Sequence, residues 1–207
     1  MRRGLLGILV ALVLVTIALH RVPARAIPAL LEETNLELSG LRGTALEGQA
    51  ARALLRTNVG NLHLGTLDWT ASIWSALRLQ PSMTLNSRWG QQRLSAYATV
   101  RGRDDLELTD LDASVPAALL RQFLPVALDG LLKLQLQDFR WQRGAPRTAN
   151  GRLVWEDATW LASTGARRLG TYVAEVVTTD DEVITAEVLT LSGSLNVTGS
   201  AQLSASR

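Results

Sequence analysis

Two stretches of the chain carry the clearest patterns of hydrophobic and polar positions. Gly4 to Leu19 is a run of sixteen apolar or small residues that follows Arg2-Arg3. Leu189 to Ala205 instead alternates strictly, with apolar or small residues at odd positions and Thr, Ser, Asn or Gln at even positions. The first pattern predicts a hydrophobic helix. The second predicts a half-buried antiparallel strand, which Gly193 and Gly199 could bend or divide into a hairpin.

Shorter alternating segments lie between these two stretches and predict further strands. They are Leu38–Leu46, Leu62–Trp69, Met83–Trp89, Leu94–Val100, Leu106–Leu111, Leu132–Trp141, Gly151–Trp155, Gly170–Val177 and Val183–Leu189. Two segments have helical character, namely 27–36 and 115–124, and Arg143 to Pro146 has the composition of a turn. The chain is therefore expected to be mainly β. We predict an N-terminal transmembrane helix followed by a curved antiparallel β-sheet with one or two short helices.

The hydrophobic run at the N-terminus is interpreted as a membrane segment. Sixteen helical residues cover about 24 Å, slightly less than the ~30 Å hydrocarbon core, and Arg3 and Arg21 can extend the span by snorkelling. Because cationic flanks stay in the cytoplasm, the rest of the chain is predicted to be periplasmic. A signal peptide cleaved after Ala26 is the alternative, since Ala24-Arg25-Ala26 has cleavage-site spacing. The predicted division is a membrane segment at 1–26 and a β-rich domain at 27–207.

One motif occurs twice within the β-rich domain. Gly65, Leu67, Trp69 and Trp74 form the pattern G-x-L-x-W-x4-W, and the same pattern returns 86 residues later. The second copy consists of Gly151, Leu153, Trp155 and Trp160. We interpret the copies as two similar β-units, at about 36–112 and 130–207. The glycines and tryptophans are expected to be structural anchors that pack the sheet, rather than ligand-stacking residues.

Composition excludes several classes of function. Four of the 21 basic residues precede Ile27, which leaves 17 basic against 19 acidic residues in the exported part, a net charge of −2. This balance is a poor footprint for nucleic-acid binding, and none is expected. The chain has no cysteine, so it contains neither a thiol nucleophile nor a thiolate metal site.

Catalytic and metal-binding candidates are few. The chain has two histidines: His20 lies at the membrane boundary, and His63 is expected to point to solvent from a strand. The acidic run from Asp104 to Asp112 lacks the glycine and terminal glutamate of an EF-hand loop, so we expect solvated carboxylates there. No catalytic residue, metal, cofactor or small-molecule substrate is therefore predicted, and a hydrolase is the function we expect least.

The same residues resemble a known family. Leu38 to Ala50 reads L-S-G-L-R-G-T-A-L-E-G-Q-A. It is similar to the G-x-G-T-x-W-x-G-x-A stretch near the start of the type II secretion system protein N family, with Leu46 where that family usually has Trp. Matching segments follow in order at 64–69, 151–155 and 169–172. The resemblance implies a single-pass inner-membrane protein with a periplasmic β-rich domain, accessory to a machine that exports folded proteins, and no catalytic residues. It also leads us to expect further strands beyond Ala205, as if this were a short or truncated member.

Two functions are consistent with these observations. The first is a non-enzymatic, inner-membrane-anchored periplasmic component of the type II secretion system that acts through protein–protein interaction. Its partners would be the inner membrane, through residues 4–19, and other secretion-system proteins, with exposed strand edges suited to strand addition. The alternative is a periplasmic β-sheet module that presents an apolar groove to lipid or another envelope molecule. Apolar residues on one face would serve either a core or such a groove, so the pattern alone does not choose.

Overall fold

The computed structural model describes residues 22–30, 35–57, 60–72, 74–75, 80–102, 104–122, 126–162, 165–179 and 183–204. Eleven strands make up most of it. They are β1 (Leu36–Gly43), β2 (Glu47–Thr57), β3 (Gly60–Ser72), β4 (Ser82–Trp89), β5 (Gln92–Gly102), β6 (Asp105–Pro116), β7 (Leu128–Gln142), β8 (Ala145–Ala162), β9 (Gly165–Thr178), β10 (Val183–Gly193) and β11 (Gly199–Ser204). All eleven form one open antiparallel sheet in which strand order follows chain order. The predicted mainly β, antiparallel fold is confirmed, whereas its curvature remains a prediction.

Two strand predictions need correction. The expected strand Leu38–Leu46 begins within β1 and continues through the turn that precedes β2. β2 itself was not predicted. The expected single alternation from Leu189 to Ala205 is divided between β10 and β11, with Gly193 ending one strand and Gly199 beginning the next. The hairpin interpretation is therefore the correct one, because consecutive hydrogen-bonded strands share this pattern.

The helical elements are short. A 3₁₀ turn at Ala24–Ala26 continues into an α-helix at Ile27–Leu30, whereas a helix reaching residue 36 had been predicted. We refer to residues 24–30 as the N-terminal helical segment. The helical break predicted at 115–124 is a 3₁₀ helix at Ala117–Gln122, and the two residues before it still belong to β6.

The predicted membrane segment, residues 4–19, lies outside the described residues. Within the part of the chain that the structure describes, no helix has both the length and the apolar composition needed to cross a bilayer. Both the transmembrane helix and the alternative cleavage after Ala26 therefore remain predictions.

A cluster of buried residues lies where the N-terminal helical segment meets β1, β2 and β3. Its buried members are Ala24, Ala50, Ala53, Leu67 and Trp69, and Ile27, Leu38, Leu41, Leu64 and Leu85 pack around them. The small residues of β2 are explained by this packing, since a Cβ added at Gly48 would collide with the ring of Trp69. One end of the sheet is thus covered by a segment that precedes it in the chain.

The two outermost strands of the described sheet differ in their surroundings. The turn after β1 is bridged to the chain before the helical segment, with Pro23 pairing Thr44 and the Ala45 amide donating to the Val22 carbonyl at 2.9 Å. All six residues of β11 are exposed and none is charged. Charged side chains commonly protect edge strands from pairing, so β11 lacks a device that many edges carry.

Candidate functional site

The two faces of the sheet differ sharply in chemistry. One register row of directly opposed residues crosses all eleven strands and is apolar or small at every position except one serine. It consists of Leu41, Ala50, Leu67, Ser87, Leu94, Ala113, Leu134, Leu153, Ala174, Val188 and Gly199. We call the face that carries this row the apolar face.

The next row along the strands points to the opposite side and is polar throughout, because successive side chains in a strand alternate between faces. It consists of Arg42, Gln49, Asp68, Asn86, Ser95, Asp112, Gln135, Arg152, Glu175, Glu187 and Ser200. We call this the polar face. Most of its row is exposed, whereas the apolar row is buried or half-buried up to β10. These two faces are the candidate interaction surfaces.

The structure brings the two copies of the G-x-L-x-W motif into register. Leu67 on β3 and Leu153 on β8 occupy the same row, so Trp69 and Trp155, two residues further on, share the apolar face. The strands lie five positions apart in an antiparallel sheet and therefore run in opposite directions. The two copies are thus related by a half-turn about an axis perpendicular to the sheet. The division into two related β-units remains a prediction.

Both motif glycines lie at irregularities of the strand pairing. Gly65 pairs with Ala53 where the β2–β3 register shifts, and Gly151 pairs with Leu136 next to a shift between β7 and β8. Both have positive φ, +78° and +154°. A Cβ at either position would fall on a carbonyl oxygen of a neighbouring strand. Only glycine fits this combination of conformation and close approach.

The two motif tryptophans make similar hydrogen bonds but are buried to different extents. The Trp69 indole donates to the Ala45 carbonyl at 3.2 Å, and the Trp155 indole donates to the Asp129 carbonyl at 3.1 Å. Trp69 is only 5% exposed beneath the helical segment. Trp155 is half-buried, and its ring lies 6.1 Å from the ring of Tyr172. The later tryptophans of the motif are more accessible, with Trp74 72% exposed and Trp160 42% exposed.

The histidine candidate lies beside an aromatic ring. His63 is exposed on β3, as predicted, and its ring stacks on that of Trp89 at a centroid distance of 6.2 Å. Among the described residues, no group of three or more His, Asp or Glu side chains is placed to hold a metal ion. Stacking on an indole accounts for the position of this imidazole.

The acidic run on β6 is dispersed among cationic and amide partners. The Asp105 carboxylate accepts hydrogen bonds from Arg140 Nε and Nη2 at 2.9 and 2.6 Å and from Gln142 at 3.1 Å. The bonds from Arg140 lower the pKa of Asp105 below its ordinary value of 3.8, more than its burial raises it. Glu107 pairs with Arg101. β6 is an interior strand, so Asp105 and Glu107 form cross-strand pairs, whereas Asp104, Asp110 and Asp112 are exposed as expected.

Most of the charge on the central polar face is paired. Lys133 lies 2.8 Å from Glu156. Arg152 donates to Gln135 at 2.9 Å, and Gln135 donates onward to Asp112 at 3.0 Å, along a shallow cleft of about 900 Å³. These partners hold strands β6, β7 and β8 together by side-chain contacts.

Two like-charged pairs interrupt this pattern and were missed by the sequence analysis. Arg88 lies directly opposite Arg93 on β4 and β5, and Glu175 lies directly opposite Glu187 on β9 and β10. All four are exposed on the polar face. Within the described residues, neither Arg93 nor Glu187 has an ion-pair partner within 4.0 Å. Arg88 has one long contact, 3.8 Å between its Nη2 atom and the Asp68 carboxylate. Directly opposed like charges destabilise a sheet, so their presence requires another explanation.

The arginine pair was only partly detectable from the sequence. Its strands were predicted as Met83–Trp89 and Leu94–Val100, which leaves residues 90–93 as the connection and places Arg93 outside a strand. The observed two-residue connection, Gly90-Gln91, sets Trp89 opposite Gln92 and Arg88 opposite Arg93. The register of the glutamate pair depends on a longer connection between β9 and β10.

Comparison with known proteins identifies the chain. The profile of the family described as type II secretion system (T2SS), protein N matches residues 34–207. The match covers most of the chain, which therefore belongs to this family. No curated protein and no solved structure matches it.

Proposed function

We propose that this member of the type II secretion system protein N family is a non-enzymatic periplasmic component of the secretion machine, anchored in the inner membrane, that acts through protein–protein contacts. Family membership supports a role in the secretion system. The hydrophobic run at 4–19 after Arg2-Arg3 supports the anchor and the periplasmic location. The absence of cysteine and the presence of only two histidines support a non-enzymatic role.

The observation that carries the contact role is the pair Arg88–Arg93 on the polar face. Two exposed guanidinium groups face each other across neighbouring strands, beside a cleft of about 570 Å³ that both residues line. Their repulsion is a cost to the isolated domain. An acidic partner surface would remove that cost, since guanidinium groups pair well with carboxylates. A contact with an acidic region of another secretion protein therefore explains why the pair is present.

A single charge reversal distinguishes the effect of the pair on domain stability from its effect on partner binding. In Arg93→Glu the new carboxylate faces Arg88, so the cross-strand pair becomes attractive and the domain should gain about 0.2–1 kcal/mol of stability. The same variant should lose its secretion partners when the tagged full-length protein is purified from membranes. We expect higher stability combined with weaker co-purification.

The matched control is Arg167→Glu, an exposed arginine on β9 that lies outside this cleft. It changes the net charge by the same amount and should leave co-purification intact. If Arg93→Glu retains its partners as well as the control does, the arginine pair is not the contact surface.

The anchor requires a separate experiment. We expect the mature protein to begin at or near Met1 and to resist extraction from membranes by carbonate. Recovery of a soluble periplasmic form that begins at Ile27 would instead identify Ala24-Arg25-Ala26 as a cleavage site.

A further inference from the structure

The apolar face is uncharged over a large area beyond β3. Two further register rows run beside the one already described. They consist of Val115, Leu132, Trp155, Tyr172 and Thr190, and of Leu111, Leu136, Gly151, Val176, Ala186 and Ala201. No charged side chain occupies any of these positions. From β4 to β11 the face spans roughly 34 Å, taking the usual spacing of neighbouring strands.

The side-chain hydroxyl groups in these three rows each donate a hydrogen bond within the chain. The hydroxyl of Ser87 donates to the Leu64 carbonyl, and that of Tyr172 donates to the Leu169 carbonyl at 3.1 Å. The hydroxyl of Thr190 donates to the Val197 carbonyl at 3.1 Å. These rows therefore offer a partner apolar surface without hydrogen-bonding groups that need one.

This chemistry favours hydrocarbon over a protein partner. Protein interfaces carry about one hydrogen bond per 100–200 Å², so a protein that covered this face would usually find polar groups to pair with. An acyl chain has no polar groups and needs no hydrogen-bonding partner. All strands of the described residues belong to one sheet, the N-terminal helical segment packs at the β1–β3 end, and the 3₁₀ helix Ala117–Gln122 packs against β7.

Indole rings mark both ends of the same face. Trp89 is the last residue of β4, and Trp141 is the last but one of β7. These strands run in opposite directions, so the two rings lie at opposite ends of the sheet, where they are 51% and 41% exposed. Indoles with one apolar and one wet side are typical of the level of lipid headgroups.

We propose that the apolar face from β4 to β11 binds the acyl chains of phospholipid, with Trp89 and Trp141 near the headgroup level. The three rows carry no charged side chain, their hydroxyl groups are bonded within the chain and indole rings bound the face, and phospholipid suits all three conditions. This role goes beyond the proposed contact with secretion proteins and does not depend on it.

Site-specific photocrosslinking on neighbouring residues tests the proposal. The photoreactive amino acid p-benzoylphenylalanine is placed at Leu134 or Val188 on the apolar face, and at Gln135 or Glu187 on the polar face. The full chain is expressed in cells whose phospholipid is labelled with ³²P, irradiated and purified. We expect labelled adducts at 134 and 188 and none at 135 and 187.

Every other result overturns the proposal. Protein adducts at 134 and 188 would show that a protein covers the face. Equal labelling on both faces, or no labelling of folded protein, would show that phospholipid does not bind there selectively. If the probe at 134 prevents folding, the neighbours Leu153 and Arg152 provide the same comparison on β8.

A matched pair of substitutions adds a second readout. Leu134→Glu and Gln135→Glu introduce the same side chain at adjacent positions on opposite faces. Both proteins are purified without added lipid, checked for folding by circular dichroism and assayed for extractable lipid phosphate. Leu134→Glu should lose most of the bound phospholipid, whereas Gln135→Glu should match the unsubstituted protein. Equal phosphate in both folded variants contradicts the proposal.

Discussion

The N-terminal region and the central region of the sheet are held together in different ways. Around Trp69, strands β1–β3 pack beneath the N-terminal helical segment in a cluster of buried apolar residues. Around Trp155, on strands β6–β9, the side chains of the sheet pack against one another on the apolar face. The polar face of these strands carries ion pairs such as Arg140–Asp105 and Lys133–Glu156. The same G-x-L-x-W motif thus occurs in a buried and a half-buried setting. Burial depends on what covers a strand, not on the motif within it.

The largest expected effect is that of Trp69→Ala. Removing a ring that is only 5% exposed should lower the free energy of unfolding by about 3–5 kcal/mol and leave the small residues of β2 against a cavity. Denaturant unfolding of the β-rich domain measures it. Trp74→Ala is the control, because its 72% exposed ring should change stability by at most about 0.5 kcal/mol. Unchanged stability for Trp69→Ala, with lost binding of a partner or lipid, would make Trp69 a contact residue.

Substitutions of the two motif glycines should lower stability by similar amounts in the N-terminal and central regions. Gly65→Ala and Gly151→Ala should each cost about 2–4 kcal/mol, because positive φ strains an L-residue and the added Cβ meets a backbone oxygen. Gly144→Ala separates the two causes, since this turn glycine has φ +79° but open space around it. It should cost only the conformational part, about 1–2 kcal/mol. Thermal unfolding of all three variants gives the comparison, and an equal loss in all three would mean that crowding is unimportant.

Trp155→Ala should lower the free energy of unfolding by less than Trp69→Ala does. The half-buried ring loses its contact with Tyr172 and the hydrogen bond to Asp129, together worth about 1–3 kcal/mol. The two variants are compared in the same denaturant series. Equal losses would show that the two tryptophans are equivalent anchors, and would indicate that the helical segment contributes little.

Acid should weaken the central region through the Asp105 carboxylate. Because Arg140 lowers the pKa of Asp105, this carboxylate stabilises the fold above its ordinary pKa of 3.8 and loses that contribution as the pH falls through the lowered value. Asp105→Asn should therefore be less stable than the unsubstituted protein at neutral pH, with the difference shrinking between about pH 5 and pH 2. Melting temperatures across that range measure it. Asp104→Asn, at an exposed neighbouring position, removes a carboxylate without removing the hydrogen bonds from Arg140 and is the control.

The smallest expected effect is that of His63→Ala. The exposed imidazole contributes a stacking contact with Trp89, so stability should change by at most about 0.5 kcal/mol and secretion should continue near its normal level. A secretion assay with immunoblotting of the variant tests this. Complete loss of secretion while the protein stays folded and abundant would point to an enzyme after all.

Much of the architecture was predictable because strand patterns are local. Alternation with a period of two identified most strands, whereas the register at Arg88 and Arg93 follows from the observed two-residue turn, which is shorter than the connection predicted. β2 was missed because its Gly48, Ala50 and Ala53 are small residues with weak strand preference. Their size reflects the ring of Trp69, which lies distant in the sequence.

The candidate surfaces were predictable only in part. An apolar and a hydroxyl-rich set of positions was evident near Leu189, but Leu189 itself lies on the polar face opposite Val173, while Val188 continues the apolar row. Which set joins the apolar face depends on pairing with β9, and a shift of one residue in pairing exchanges the faces. Alternation reveals that two faces exist, and the register of every intervening strand decides which residues share them.

The sequence by itself determined an antiparallel strand-rich domain, its family and the two places where glycine precedes a tryptophan. These follow from spacing between near neighbours in the chain. The tertiary structure decided that Leu67 and Leu153 share one row, that Trp69 is covered and Trp155 is less so, and that like charges meet across strands. These outcomes depend on register summed over many hairpins and on a helical segment packing against strands, which no local pattern contains.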